Sequence, residues 1–184
     1  MRIIGGVWKK SVLRFPALAD LRPTSDRIRE TLFNWLGQDL SGRSCLDLYA
    51  GSGALGFEAA SRGAIQVVLV ERDRVAAHAL RDNAARLYAT SMRIVEGDAN
   101  AYLAAAKDTF DVVFLDPPFR QNVLEGLLGR LPRVLKPGAL VYMEAARPLD
   151  VNETWRELKR SRAGRVNYQL LEWNDDRSSL PGDV

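Results

Sequence analysis

The chain is poor in the residues and runs that would place it outside the cytosol or make it a metal protein. It has one cysteine, Cys45, so no disulfide can form within it, and one histidine, His78. No His, Cys, Asp or Glu cluster shows metal-ligand spacing, so no metal partner is expected. Apolar runs such as Val67 to Val70 and Val112 to Leu115 are strand-sized. None approaches the roughly 18 residues of a membrane span, and no membrane partner is expected. The first residues, Met1-Arg2-Ile3-Ile4-Gly5-Gly6, lack the apolar core of a signal peptide. These absences together point to the cytoplasm. There is no internal repeat and no low-complexity tract. What remains is an ordinary globular composition over 184 residues, enough for one domain with a full core.

Charge is unevenly spread. Residues 1–36 carry seven basic residues, Arg2, Lys9, Lys10, Arg14, Arg22, Arg27 and Arg29, against Asp20, Asp26 and Glu30. That surplus of four exceeds the net charge of +3 of the whole chain. A basic segment of this kind suits a polyanion such as RNA, and a solvated surface is the other reading.

Residues 1–22 lack helical periodicity and read as an extended arm or short hairpin. Pro23 then breaks the chain, Thr24 or Ser25 can cap, and Asp26 complements the start of a helix dipole. Ile28, Leu32, Trp35 and Leu36 form one apolar face of the helix that follows, with Arg27, Arg29, Glu30 and Asn34 around the rest. Gly37 to Gly42 ends it. From Cys45 onward strands and helices alternate. Strands are expected at Cys45–Tyr49, Gln66–Glu71, Met92–Val95, Asp111–Leu115 and Ala139–Met143. Helices are expected near 54–62, 74–88, 99–106 and 123–131, the second with Val75, Ala79, Leu80 and Leu87 inward. The last helix ends before a break at Lys136-Pro137-Gly138. Such alternation builds a parallel sheet with helices on both faces. Trp155–Arg160 and Val166–Glu172, around a turn at Ala163-Gly164, read as an antiparallel hairpin at one sheet edge. Residues 175–184 read as a frayed tail.

Three stretches carry chemistry. Ala50-Gly51-Ser52-Gly53-Ala54-Leu55-Gly56 follows a strand and opens a helix, where glycines let a ligand approach the backbone. Glu71 ends the next strand and can accept from both hydroxyls of a ribose. Asp47, before the turn, suits a ligand bearing a sulfonium and an ammonium group better than a pyrophosphate. Asp98 and the Ala99 amide, after the third strand, can meet an adenine, and Asp98 can equally cap the helix it precedes. Asp116-Pro117-Pro118-Phe119 ends the fourth strand. Its two prolines remove two donors and leave a carboxylate and carbonyls, a surface of acceptors. An exocyclic amino group on a nucleic-acid base is the matching donor, and Phe119 can stack on that base.

Asp116-Pro117-Pro118-Phe119 is similar to the (Asp/Asn)-Pro-Pro-(Phe/Tyr) motif of enzymes that methylate base amino groups. Arg2-Ile3-Ile4-Gly5-Gly6-x-Trp8, Leu21-Arg22-Pro23-Thr24-x-Asp26-Arg27-x-Arg29-Glu30-Thr31-Leu32-Phe33-Asn34-Trp35-Leu36 and Ala50 to Gly56 narrow this further. Over roughly residues 1–173 the chain resembles the bacterial 16S rRNA guanine(966)-N2-methyltransferases. Tyr49 and the Lys9-Lys10 pair depart from the usual family residues. The resemblance implies a Rossmann-like class I methyltransferase: an α/β fold with a mostly parallel seven-stranded sheet and an antiparallel C-terminal hairpin. It implies S-adenosylmethionine as methyl donor, with S-adenosylhomocysteine as product. The substrate is then 16S rRNA or a small-subunit assembly intermediate. Asp47, Ala50, Gly51, Ser52, Gly53, Gly56, Glu71, Asp98 and Ala99 would hold the cofactor. Asp116, Pro117, Pro118 and Phe119 would act on the base. Arg2, Trp8, Lys9, Lys10, Arg22, Thr24 and Arg27 would contact RNA. Residues 1–42 would form a basic arm, helix and lid, and residues 43–174 the methyltransferase domain. The rival readings are a DNA adenine-N6 or cytosine-N4 methyltransferase, an NAD-dependent oxidoreductase and a non-catalytic RNA-binding module. The absence of a target-recognition domain, the need to explain Asp47 with Asp116-Pro117-Pro118-Phe119, and the intact acceptor set count against them in turn.

Overall fold

The structure is a computed structural model that describes residues 1–16, 24–118 and 123–174. Arg22, Phe119 and the tail from residue 175 lie outside the described residues. Seven strands form one sheet in the order β3-β2-β1-β4-β5-β7-β6. β1 (Ser44–Asp47), β2 (Gln66–Glu71), β3 (Met92–Glu96), β4 (Phe110–Leu115) and β5 (Leu135–Ala145) run parallel. β7 (Val166–Trp173) inserts antiparallel between β5 and β6 (Trp155–Ala163). The expected sheet, with its antiparallel C-terminal hairpin, is the one formed. The strand order reverses between β1 and β4, which opens a crevice at their carboxyl ends.

Side chains alternate between the two faces of the sheet, and each face has its own core. Cys45, Val67, Leu69, Val112, Phe114 and Tyr142 point to one side, under α1 (Asp26–Leu36), α2 (Ala54–Ser61) and the N-terminal arm. Leu80 of α3 (Arg74–Arg86) joins them. Leu46, Val68, Val70, Val113, Leu115 and Met143 point to the other side. That side is covered by α4 (Ala99–Ala105), α5 (Leu124–Leu128) and a 3-10 turn at Leu131–Val134. Cys45 is a buried core residue, as its place at a strand start suggests.

The arm is a short hairpin, with Arg2 bridged to Val12 and with Ile3 and Leu13 fully buried. It docks along α2, where the Ile4 amide donates to Glu58, the Val7 amide to the Ser61 carbonyl and the Trp8 amide to the Ser61 hydroxyl. Gly5-Gly6 is needed here. A Cβ at Gly6, whose φ is 73°, would stand 1.8 Å from the Ser61 carbonyl oxygen. Ser25 caps α1 by accepting from the Ile28 amide.

Four local expectations give way to tertiary contacts. Arg29, expected on the polar face of α1, is fully buried and bonds Glu58, Asp26 and the Arg2 carbonyl. Glu58 also holds Arg62, so one buried carboxylate ties α1, α2 and the arm. Val75, expected inward, is exposed, and Ala76, Ala77 and Asn83 face the core beside the expected Leu80. Asn83 pins the Arg14 backbone with both ends of its amide, which sets the rotation of α3. α5 stops at Leu128 and not at Leu131, and Pro132 lies at the start of the 3-10 turn that follows. Lys136-Pro137-Gly138 lies inside β5 and does not break it. The register jumps from Phe110↔Leu135 to Val112↔Leu140, and this bulge accommodates a proline that cannot donate to the ladder.

Candidate active site

The alternation that builds the core also builds the site. Continuing Cys45 by two residues gives Asp47, Leu69 gives Glu71, Phe114 gives Asp116 and Tyr142 gives Glu144. Four neighbouring strands therefore each place a carboxylate at the carboxyl edge, on the face that carries α1, α2 and the arm. In the order of the sheet these are Glu71, Asp47, Asp116 and Glu144. Leu115 pairs with Met143, so Asp116 and Glu144 stand side by side on adjacent strands.

Asp47 is 2% exposed, and its Oδ2 accepts from the Gly56 amide at 3.2 Å. Gly53, the cap of α2, supplies no side chain, and Asp47 serves the helix start from below. Its carboxyl is pushed up to about 7, first by burial and then by the charge of Asp116. The Gly56 amide is thus engaged within the protein. A Cβ there would meet Leu69 at 2.9 Å, so this glycine also allows α2 to pack closely on β2. Gly51 and Gly53 take φ of 50° and 80°, conformations that suit glycine. Glu71 holds the turn, with Oε2 accepting from the Gly51 amide at 2.8 Å and Oε1 from the Asp73 amide at 2.7 Å. Each oxygen can still accept a further bond. Ala50 and Ser52 are buried, and the Ser52 hydroxyl lies 3.8 Å from the Met1 sulfur, so the arm reaches the glycine turn.

Asp98 caps α4, accepting from the amides of Asn100 and Ala101, and Ala99 is buried behind it. Tyr49 is half-buried near Asp98. Burial raises its phenol, and the charge of Asp98 raises it further. Asp116 is pushed upward by burial, against the Thr24 hydroxyl that donates to its Oδ2 at 3.4 Å. Pro117 is buried and Pro118 exposed. Thr24, expected among RNA contacts, is 8% exposed and faces Asp116. Arg2, Lys9, Lys10 and Arg27 are exposed, and Trp8 is partly buried against the core.

Glu144 and Tyr142 were not anticipated from sequence. Glu144 is 4% exposed, and the Tyr142 hydroxyl donates to its Oε1 at 2.9 Å. Burial drives its carboxyl upward, and the charge of Asp116 drives it further. The available signal was the alternation Leu140-x-Tyr142-x-Glu144, which repeats the pattern of Leu69-x-Glu71. Among the described residues no Lys or Arg pairs with Asp47, Asp116 or Glu144. Carboxyls held upward with no cation beside them suit a ligand that brings positive charge and draws off their protons, and the glycine turn beside them suits a nucleoside.

The family described as Conserved hypothetical protein 95 matches residues 1–172. The Ribosomal RNA small subunit methyltransferase D of Escherichia coli (strain K12) is 42% identical over 178 residues, covering 94% of this chain and 89% of the relative. The protein of the same name from Haemophilus influenzae is 41% identical over 180 residues, covering 94% and 93%. The solved structure of the Escherichia coli protein yhhF superposes with a TM-score of 0.86 at 41% identity, covering 95% of this chain and 98% of that one.

Proposed function

The chain belongs to the Conserved hypothetical protein 95 family, and from that premise we propose that it transfers a methyl group from S-adenosylmethionine to the exocyclic N2 amino group of a guanine in 16S rRNA. The observation that carries this reading is the row of strand-end carboxylates beside the glycine turn, with Asp116-Pro117-Pro118 at its centre. The names of the two relatives support small-subunit rRNA as the substrate.

The residues fit the cofactor. Asp47 would face its cationic end, Glu71 its ribose, Asp98 with the Ala99 amide its adenine, and Ala50 to Gly53 the turn against which it lies. Bound there, S-adenosylmethionine supplies an electrophilic methyl group on a sulfonium. The chain's own residues do the rest. Asp116 and the Pro117 carbonyl accept the amino hydrogens, which draws the nitrogen out of conjugation with the ring and directs its lone pair. Phe119 stacks on the base. The nitrogen gains a methyl group and loses a proton, and burial gives Asp116 the proton affinity to take it. Much of the rate comes from positioning. A stacked or paired target swings out to reach the site. Arg2, Lys9, Lys10, Arg22 and Arg27 hold phosphates, Trp8 packs at the edge of that surface, and Thr24 acts through Asp116. The substrate is the rRNA or a small-subunit assembly intermediate, with residues 1–42 as the lid.

Asp116→Ala tests the reading. Turnover on small-subunit rRNA should be abolished, while calorimetric affinity for S-adenosylmethionine stays within a few-fold. Turnover like that of the wild type would remove the mechanism.

A further inference from the structure

We propose that Glu144, at the end of β5, recognises the target base by accepting the ring N1–H of guanine beside the amino group held at Asp116. This rests on the guanine reading above and assigns that site a residue that selects the base. Asp116 directly follows Leu115, which pairs with Met143 just before Glu144, so continuing the register sets the two residues roughly one strand spacing apart, about 4.8 Å at the backbone. Both side chains are directed to the face under α1, where the Thr24 hydroxyl is shared between Asp116 and Glu144 and Tyr142 also holds Glu144. The Tyr142 hydroxyl donates to Oε1 of Glu144 and orients the carboxyl, whose oxygens keep lone pairs for a substrate group. The Tyr142 ring is in turn packed against Tyr168, with centroids 6.3 Å apart.

The chemistry of the bases then discriminates. Guanine presents two neighbouring donors on this edge, the N2 amino group and N1–H. Adenine presents its amino group beside the N1 lone pair, and cytosine its amino group beside the N3 lone pair. Two adjacent acceptors pair with both guanine donors. Against adenine or cytosine, one acceptor faces another, and a buried polar group is left unsatisfied. The same pair of carboxylates therefore binds the amino group and rejects the other two amino-bearing bases.

The test compares guanine with 2-aminopurine, which keeps the 2-amino group but carries a lone pair at N1. Each is placed by ligation at the mapped methylation position of small-subunit rRNA. The rRNA is offered in the form, deproteinised or assembled, that the wild type methylates. Wild type should prefer guanine. In Glu144→Gln, Tyr142 still engages the side-chain oxygen, so the amide nitrogen is turned towards the base. The kcat/KM ratio of guanine to 2-aminopurine should then fall at least roughly tenfold, the scale of one mismatched buried hydrogen bond. Affinity for S-adenosylmethionine should stay within a few-fold. Comparing ratios between variants cancels the missing O6 of 2-aminopurine. Tyr142→Phe, which frees the Glu144 carboxyl to turn, should narrow the ratio in the same direction. An unchanged ratio in Glu144→Gln overturns the inference, as does an equal loss of both rates, which would place Glu144 in the transfer itself. A wild type that prefers 2-aminopurine would make Glu144 a donor and overturn it too. A wild type that methylates no guanine at all refutes the substrate reading first, and this inference falls with it.

Discussion

Raising the pH should destabilise the ligand-free protein, and Asp47→Asn should remove much of that loss. Asp47 has an ordinary value of 3.8 when exposed and is pushed up to about 7 in the fold, first by burial. Between those two values the native state binds a proton that the unfolded chain has released. The stability associated with that proton is present in full below the unfolded value and disappears as pH rises through the folded one. From pH 5 to 8.5 the loss for this one group is about 3 kcal/mol. In a domain of this size that corresponds to roughly 6–12 °C in Tm. Asp116 and Glu144 are shifted in the same direction and add to the slope. Carboxyls lowered in the fold, Asp39, Asp111 and Glu157, finish titrating below this window and do not oppose it. The assay is thermal unfolding of wild type and Asp47→Asn across the range, with no nucleoside added. The asparagine oxygen can still accept from Gly56, so the helix start is kept. A wild-type Tm that is flat or rises from pH 5 to 8.5, or a variant that follows the wild type throughout, would refute the electrostatic description of the site.

The same charges should make binding of S-adenosylmethionine strengthen from pH 5.5 to 8, because its cation draws protons off the buried carboxyls. S-adenosylhomocysteine, which lacks the sulfonium, should show a clearly shallower pH dependence by calorimetry, and equal slopes would count against Asp47 facing the sulfonium. Reversing the charges of Arg2, Lys9 and Lys10 should weaken RNA binding and flatten its dependence on salt. An unchanged salt slope would mean that the arm serves only to complete the core. Glu58→Ala leaves the buried Arg62 without a carboxylate and the buried Arg29 with only the exposed Asp26, and should cost about 3–5 kcal/mol in denaturant unfolding, with the arm becoming protease-sensitive. A loss under about 1 kcal/mol, the scale of an exposed ion pair, would show that the network is not what fastens the arm.

Much of the fold was legible because its signals are local. The run Gln66–Glu71 is bounded by turn residues and forms the strand expected of it. The glycine stretch at Gly51 to Gly56 can only follow a strand and open a helix. What escaped notice depends on partners far away in sequence. Nothing near Arg29 announces that Glu58, 29 residues on, will hold it in the core. Asn83 turns inward because the Arg14 backbone, 69 residues earlier, needs both ends of its amide. The Lys136-Pro137-Gly138 segment has the composition of a break, yet β4 and β7 flank β5 and carry the strand past it as a bulge. In the candidate site, Asp47, Glu71 and Asp116 stand out because each adjoins a recognisable turn or motif. Glu144 lies near the end of an ordinary strand and gains meaning only when the sheet order sets it beside Asp116.

The most direct measurement is the position and chemical identity of the methylated nucleotide in small-subunit rRNA, mapped in cells with and without this protein. The expected result is one guanine that carries N2-methyl only when the protein is present, and that regains it when the purified protein and S-adenosylmethionine are added to small-subunit rRNA or particles from the deficient cells. An unchanged methylation pattern, or a modification lost from a different base, would contradict it.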